Sequence, residues 1–496
     1  MKRLFTLLVA GCLATFGVVE ARAQQPGQGE NQSAAQSQDQ QQAPANQGAA
    51  QGPIPAYRSP LAGAANNEEE EDTTEITPDN RSLTGVQALG LGMTNEHTYW
   101  QPHAELFESV DSNPAETTGH TSWGTWTSIS AGVDIHKISQ NNALDIGYVG
   151  GGTFSTNNQA SNGTVQALNF SDKVVFHRWA LTVVDGLTYL PESSFGFGGL
   201  GAPLPGGGLP GGGIAGPGQS LLVGRGQNLS NQFDVEADVF VTGRTSLTFV
   251  GGYSNLDYFD SDLLNYGTAV ARIGYNYQVT RKDTLGADYT FSDTNYGNFH
   301  QSIVNHSFQV AYGRRVTGRL AFQIAAGPEI ATFKVPITPG TGGGEIFPGP
   351  TTNAYWSLST NLSYAQKRNS YSLAYAHGVG GGSGVLAGSE GDTVTGSFTR
   401  QMTRLFSSGI SGGYSRNRGL AVSNTTNPGN TQTYDYWFGG GNLSYPLGRT
   451  LALSLTYQAQ YQNSGTAFCI GSSCSTDLLR HMISVGLSWH DRPQRF

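Results

Sequence analysis

Eight carboxylates in this chain share one geometric property. Glu105, Asp134, Asp145, Asp234, Glu236, Asp238, Asp288 and Glu329 each stand opposite in parity to the apolar residues of their own segment. Asp234, Glu236 and Asp238 follow one another on one such face, which in an extended chain sets them about 6.6–7 Å apart. Arg178 and Arg272, with Arg480 near a segment end, are the cations of the same parity. Carboxylates lining a narrow aqueous passage focus a negative potential and concentrate cations. The same groups could instead be salt-bridged within a wall or solvated near one end. Catalysis is less well supplied. His306 and His377 fall on apolar faces, where amphipathic anchoring accounts for them, although a barrel hydrolase would place a Ser/His pair at its rim. There is no G-x-S-x-G and no P-loop. The runs Gly206–Gly208, Gly211–Gly213, Gly342–Gly344 and Gly380–Gly382 precede no helix, so they read as loops rather than phosphate cradles. No enzyme, cofactor or metal site is expected.

The elements that position these residues are strands. Across Thr268–Phe291, Ala269, Ala271, Ile273, Tyr275, Tyr277 and Val279 alternate with Thr268, Arg272, Gly274, Asn276 and Gln278, Val270 being the one exception. After a turn at Thr280–Asp283 the alternation resumes with Leu285, Ala287, Tyr289 and Phe291 against Thr284, Gly286, Asp288 and Thr290. A strict period of two is a strand signature. A soluble hairpin would bury the apolar face, whereas a membrane barrel would turn it to lipid.

Composition decides between them. The 496 residues include 68 glycines, with 10% aromatic, 37% hydrophobic and only 13% charged. A soluble protein of this size carries about 25% charge. No apolar run is long enough for a spanning helix, so the balance suits a transmembrane β-barrel. A net charge of −9, without a basic patch interleaved with aromatics, argues against nucleic acid.

Residues 1–23 read as a secretory signal, with Lys2 and Arg3, an apolar run, and Ala21-Arg22-Ala23 as cleavage site. A lipoprotein signal ending at Cys12 is the rival, and both export the chain. Cys469 and Cys474, in AFCIGSSC, are expected to form a local disulfide outside the cell. Residues 24–96 are Gln/Pro/Ala-rich and then acidic; they are expected to be a disordered periplasmic segment, too poor in apolar residues to form a transporter's plug domain.

Residues 97–496 are expected to form the barrel. Short gaps, such as Ser139–Asn142, Ser171–Lys173, Thr242–Thr245, Thr280–Asp283 and Arg400–Arg404, alternate with long ones. The long gaps include Gly152–Gly163, Gly186–Ser230, Pro336–Thr352, Gly378–Gly391 and Gln462–Asp477. Outer-membrane barrels have this asymmetry of short periplasmic turns and long outer loops. Counting two weaker segments, Trp100–Glu108 with its Pro102 and Tyr434–Tyr445 with a register slip near Gly440, gives about eighteen antiparallel strands. Sixteen would also keep the number even, and either count places both termini in the periplasm.

LTYLPESSFGFGG (Leu187–Gly199), TRKDTLG (Thr280–Gly286), AYGRRVTGRLAFQ (Ala311–Gln323), GPEI (Gly327–Ile330) and HGVGGGSGV (His377–Val385) resemble a family of predicted outer-membrane β-barrel proteins of acidobacteria. The resemblance runs from about Leu83 to the C-terminus. It implies fold and location and adds no functional residue, since the family is named for its barrel. Two functions then compete. One is a porin-like channel for passive diffusion of small hydrophilic solutes, with a modest cation preference and the long Gly186–Ser230 loop controlling the pore. The other is a structural or surface-interaction barrel that works through its outer loops without an open pore. Outer-membrane lipid, the barrel-assembly machinery and a second copy of the chain are the other partners expected.

Overall fold

Segments with one apolar and one polar face satisfy all their backbone groups in a bilayer only by closing on one another. The computed structural model has that closure. It describes residues 83–85, 98–113, 123–157, 162–190, 227–259, 265–297, 301–317, 319–334, 350–366, 368–383, 386–403, 406–420, 433–464 and 477–494. The first six strands are β1 (Tyr99–Asp111), β2 (Gly124–Ile138), β3 (Asn142–Ser155), β4 (Gly163–Val175), β5 (Trp179–Leu190) and β6 (Asn228–Thr242). Then come β7 (Thr245–Tyr258), β8 (Tyr266–Gln278), β9 (Asp283–Tyr296), β10 (Gln301–Thr317), β11 (Leu320–Lys334) and β12 (Thr351–Ala365). The last six are β13 (Asn369–Ser383), β14 (Leu386–Gln401), β15 (Ser407–Gly419), β16 (Thr433–Pro446), β17 (Leu451–Ser464) and β18 (Asp477–His490). Each pairs antiparallel with its sequence neighbours, and β1 also pairs with β18 from His103–His490 to Asp111–Met482. The protein is a closed 18-stranded antiparallel transmembrane β-barrel.

The alternation sorts side chains between two solvents. On β8, Ile273, Tyr275 and Tyr277 are exposed on the outside, while Arg272 and Asn276 are buried on the inside. The outward set is what lipid requires, and aromatics such as Tyr277, Tyr371, Trp437 and Trp489 lie on it. Tight turns close one end. At the β8–β9 turn, Val279 N–H donates to Asp283 O (2.9 Å), and Thr280 Oγ1 accepts the N–H groups of Lys282 and Asp283.

Three local expectations need correction. The β4–β5 turn lies at Phe176–Arg178, not Ser171–Lys173, because Phe176 and Trp179 stack at 3.8 Å and Phe176 N–H closes on Trp179 O. Strand β16 has no slip at Gly440; its ladders to β15 and β17 run unbroken, and the pattern only looked irregular because Tyr436 and Phe438 face inward. The stretch Gly378–Gly391 is not a long loop, since β13 and β14 stay paired to Ser383–Leu386. At the C-terminal end, β18 stops at His490, and Gln494 forms an isolated bridge with Trp100. The signal segment, the Cys469/Cys474 pair and residues 191–226 of the Gly186–Ser230 loop lie outside the described residues.

The outward assignment makes a direct prediction. Val310 is 65% exposed on the outer face of β10. Val310→Arg should destabilise the folded barrel by about 2–4 kcal/mol, read as a lower urea midpoint in lipid vesicles. An unchanged midpoint would place this face against water or protein.

Candidate functional site: the inner wall

The ladder brings all but one of the expected ionisable residues to the inner wall. Asp234, Glu236 and Asp238 are buried on successive inward positions of β6. Asp234 accepts Gln232 Nε2 (2.6 Å) and Asp238 accepts Thr248 Oγ1 (2.6 Å), so both are held by neutral donors. Two strands away, Arg272 donates Nε–H to Thr290 Oγ1 (2.9 Å) and stands 3.9 Å from Asp288 Oδ2. Glu236 and Asp234 share its surroundings. The acidic wall therefore runs over β6–β9 with one guanidinium among four carboxylates.

A second group sits on β1, β2, β3 and β18. Asp134 Oδ2 is 3.4 Å from His103 Nδ1, with Glu105 buried beside them. His136 contacts Asp145, and Gln101 Nε2 lies 3.1 Å from His490 Nδ1. Arg480 Nε donates to Asp111 Oδ2 at 2.7 Å. Asp111, His103, His136 and His490 escaped the sequence reading, although Asp111 has the same parity as Glu105. The alternation reads that segment as ending at Glu108, whereas β1 runs on to Asp111. Arg178 is the misplaced residue: it lies in the exposed β4–β5 turn, not on the wall.

Glu329 marks a third place. Its carboxylate accepts Asn305 Nδ2 and the N–H of Val379 (3.1 Å). Val379 belongs to β13, yet Glu329 is on β11, so β13 has passed inside β12 to reach it. The ladder shows why. Strands β12 and β13 pair only from Leu358–His377 to Ala365–Ser370, eight pairs between two 15-residue strands. Past His377 the β13–β14 hairpin leans into the bore. Val379 packs there with Ile303, Phe333 and Ala331, which face inward from β10 and β11. Gly388 of β14 lies on the same cluster, and Leu420 N–H donates to its carbonyl (3.2 Å). At the head of the short ladder the rings of Trp356 and His377 stack at 3.8 Å, and His377 Nδ1 lies 2.9 Å from Asp392 Oδ1. Eight residues rise about 27 Å along a strand and, with a tilt near 40°, about 20 Å across a roughly 25 Å apolar band. The paired seam therefore falls about 5 Å short of the band.

One stretch of the bore is uncharged and polar. Ser454, Thr456, Gln458, Gln460 and Gln462 occupy successive inward positions of β17, with Ser484 and Ser488 beside them on β18. Gln460 has no partner for either amide atom. Among the described residues no group of three His, Cys, Asp or Glu side chains is placed to hold a metal. The wall can solvate hydrophilic solutes.

No family model matches the chain, and no curated protein does. Among solved structures, the chain is similar to Pseudomonas aeruginosa OccK2 (OpdF), with 10% identity, a TM-score of 0.40, and 81% of this chain covering 100% of that one. The outer membrane protein OpdK of the same organism aligns at 11% identity and a TM-score of 0.38, over 79% of this chain and 99% of that one. Acinetobacter baumannii OccAB3 aligns at 9% identity and a TM-score of 0.36, again over 79% and 99%.

Proposed function

We propose that the protein is an outer-membrane channel for passive diffusion of small hydrophilic solutes. The observation that carries this reading is the inner wall: a closed barrel of eighteen strands whose inward positions include Ser, Thr, Asn, Gln and carboxylate on every side, with apolar residues such as Trp126 and Phe438 among them. Barrels of this width leave an aqueous channel, and an inner face of this chemistry is costly unless it meets water or polar solute. The tight-turn end faces the periplasm in this reading, with both chain ends there, and the loops face outward. The acidic wall of β6–β9 favours cations. The resemblance to acidobacterial barrels agrees with the location. Delivery by the assembly machinery and packing against a second copy are part of the same reading.

A second reading has one observation in its favour. The β13–β14 hairpin packs across the inner face of β10–β11, as it would in a barrel kept shut and used as a surface scaffold. Single-channel recording of the purified protein in a planar bilayer separates the two. Stable ohmic openings are expected. A correctly folded barrel that stays silent at all voltages would favour the scaffold.

A further inference from the structure

Leu83, Thr84 and Gly85 belong to the segment that precedes the barrel, yet they are buried inside it. Thr84 donates its N–H to Asn276 Oδ1 (3.1 Å), and Asn276 returns Nδ2–H to Thr84 Oγ1 (2.9 Å). Arg272 Nη1 reaches the carbonyls of Thr84 (3.4 Å) and Gly85 (3.5 Å), and Gln323 Nε2 donates to Leu83 O (3.2 Å). Leu83 packs on Ala311 and Ala325. The wall is hollowed to receive them: a Cβ on Gly274 would fall 2.1 Å from Thr84 Oγ1, and one on Gly286 3.0 Å from Thr84 Cγ2.

Four of these hydrogen bonds read main-chain groups, one N–H and three carbonyls, and a recess of small residues takes one aliphatic side chain. A few placed polar groups around a small apolar pocket are how proteins fix an extended peptide's register. The location matters as much as the chemistry. Asn276 is two residues from the end of β8 and Gln323 three residues into β11, so the recess lies toward the tight-turn end. Thr98, next described along the chain, is bonded to Ile138 beside β1, whereas the recess spans β8–β11 on the opposite side of the strand order.

We propose that this recess is a peptide-binding site on the inner wall, filled by the chain's own Leu83–Gly85 as a tethered strap whose release opens the bore. The opening rests on the channel reading; the occupancy does not. Docking occupies Arg272 and Asn276, so it also covers the one guanidinium of the acidic wall.

The test uses the full chain with Cys469→Ser and Cys474→Ser. Thr84→Cys and Gly286→Cys should form a disulfide on mild oxidation, seen as a reductant-sensitive gel shift. Oxidised channels should be closed, and reductant should raise their open probability about fivefold or more. In the chain with native cysteines, Thr84→Pro removes the N–H that Asn276 reads; the pentapeptide Ser-Leu-Thr-Gly-Val, added on the tight-turn side, should block that channel where a scrambled peptide does not. No cross-link would remove the strap from the recess. A cross-link whose reduction leaves conductance unchanged would make the segment a fixed lining, and equal effects of both peptides would end the binding-site claim. A cross-linked protein silent before and after reduction would reject the channel, and the gating with it, while the gel would still report occupancy.

Discussion

Replacing Gly388 with valine is expected to raise single-channel conductance about twofold or more, by freeing the end of the bore opposite the tight turns. Gly388 has φ +84, a conformation that costs an L-residue about 1–2 kcal/mol. A Cβ there would also stand 2.3 Å from Ile303 Cδ1 and 3.4 Å from Phe333 Cε1. The end of the Ile303 side chain can swing aside for a Cβ alone, but the γ-methyls of a valine add bulk between Ile303 and Phe333 and favour lifting the hairpin off β10 and β11. Val379 and Leu420 would leave the cluster, and Glu329 would lose the N–H it accepts from Val379. The double change Ile303→Ala, Gly388→Ala removes the clash and keeps most of the packing, so its conductance should fall back toward wild type. Equal conductance in wild type and Gly388→Val would mean that the hairpin does not narrow the path.

The triple change Asp234→Asn, Glu236→Gln, Asp238→Asn is expected to abolish about half or more of the reversal potential measured across a KCl gradient. Wild type should prefer cations, and the preference should shrink as salt rises and shortens the screening length. The competing account was that these carboxylates are neutralised within the wall. Their partners speak against full neutralisation: Gln232 and Thr248 are uncharged donors, and Arg272 is shared with Asp288. The isosteric amides preserve the side-chain shapes, so yield and heat-modifiable gel mobility should be unchanged. An anion-selective wild type, or a triple variant with undiminished selectivity, would show that β6 does not set the field.

Strand order, parity and closure could be read from the chain because lipid and lumen impose opposite chemistry on alternate residues, as Ile273 and Arg272 show. The carboxylates followed from the same rule, one parity step from the apolar set. Errors arose where a residue obeyed a different rule. Ser171, Asp172 and Lys173 are polar like a turn but lie within β4, while the turn itself is closed by the apolar Phe176 and Trp179. Tyr436 and Phe438 face inward and so inverted the expected alternation. The glycines of 378–391 suggested a loop because nothing local reports that a hairpin will dock on Ile303 and Phe333, remote in the chain. Leu83–Gly85 had no signal at all: three residues without periodicity meet hydrogen-bond partners 187 to 240 positions away.

A zipper fails at its shortest run of teeth, and here that run lies in mid-chain. Nine pairs join β1 to β18 where the ends of the barrel meet, and fourteen join β11 to β12, but only eight join β12 to β13. Under a stretching load, or in a bilayer too thick for the seam, the wall would part beside Trp356 and His377. It would unroll into one curved sheet with β12 and β13 as its two edges, its terminal strands still stitched together in the middle.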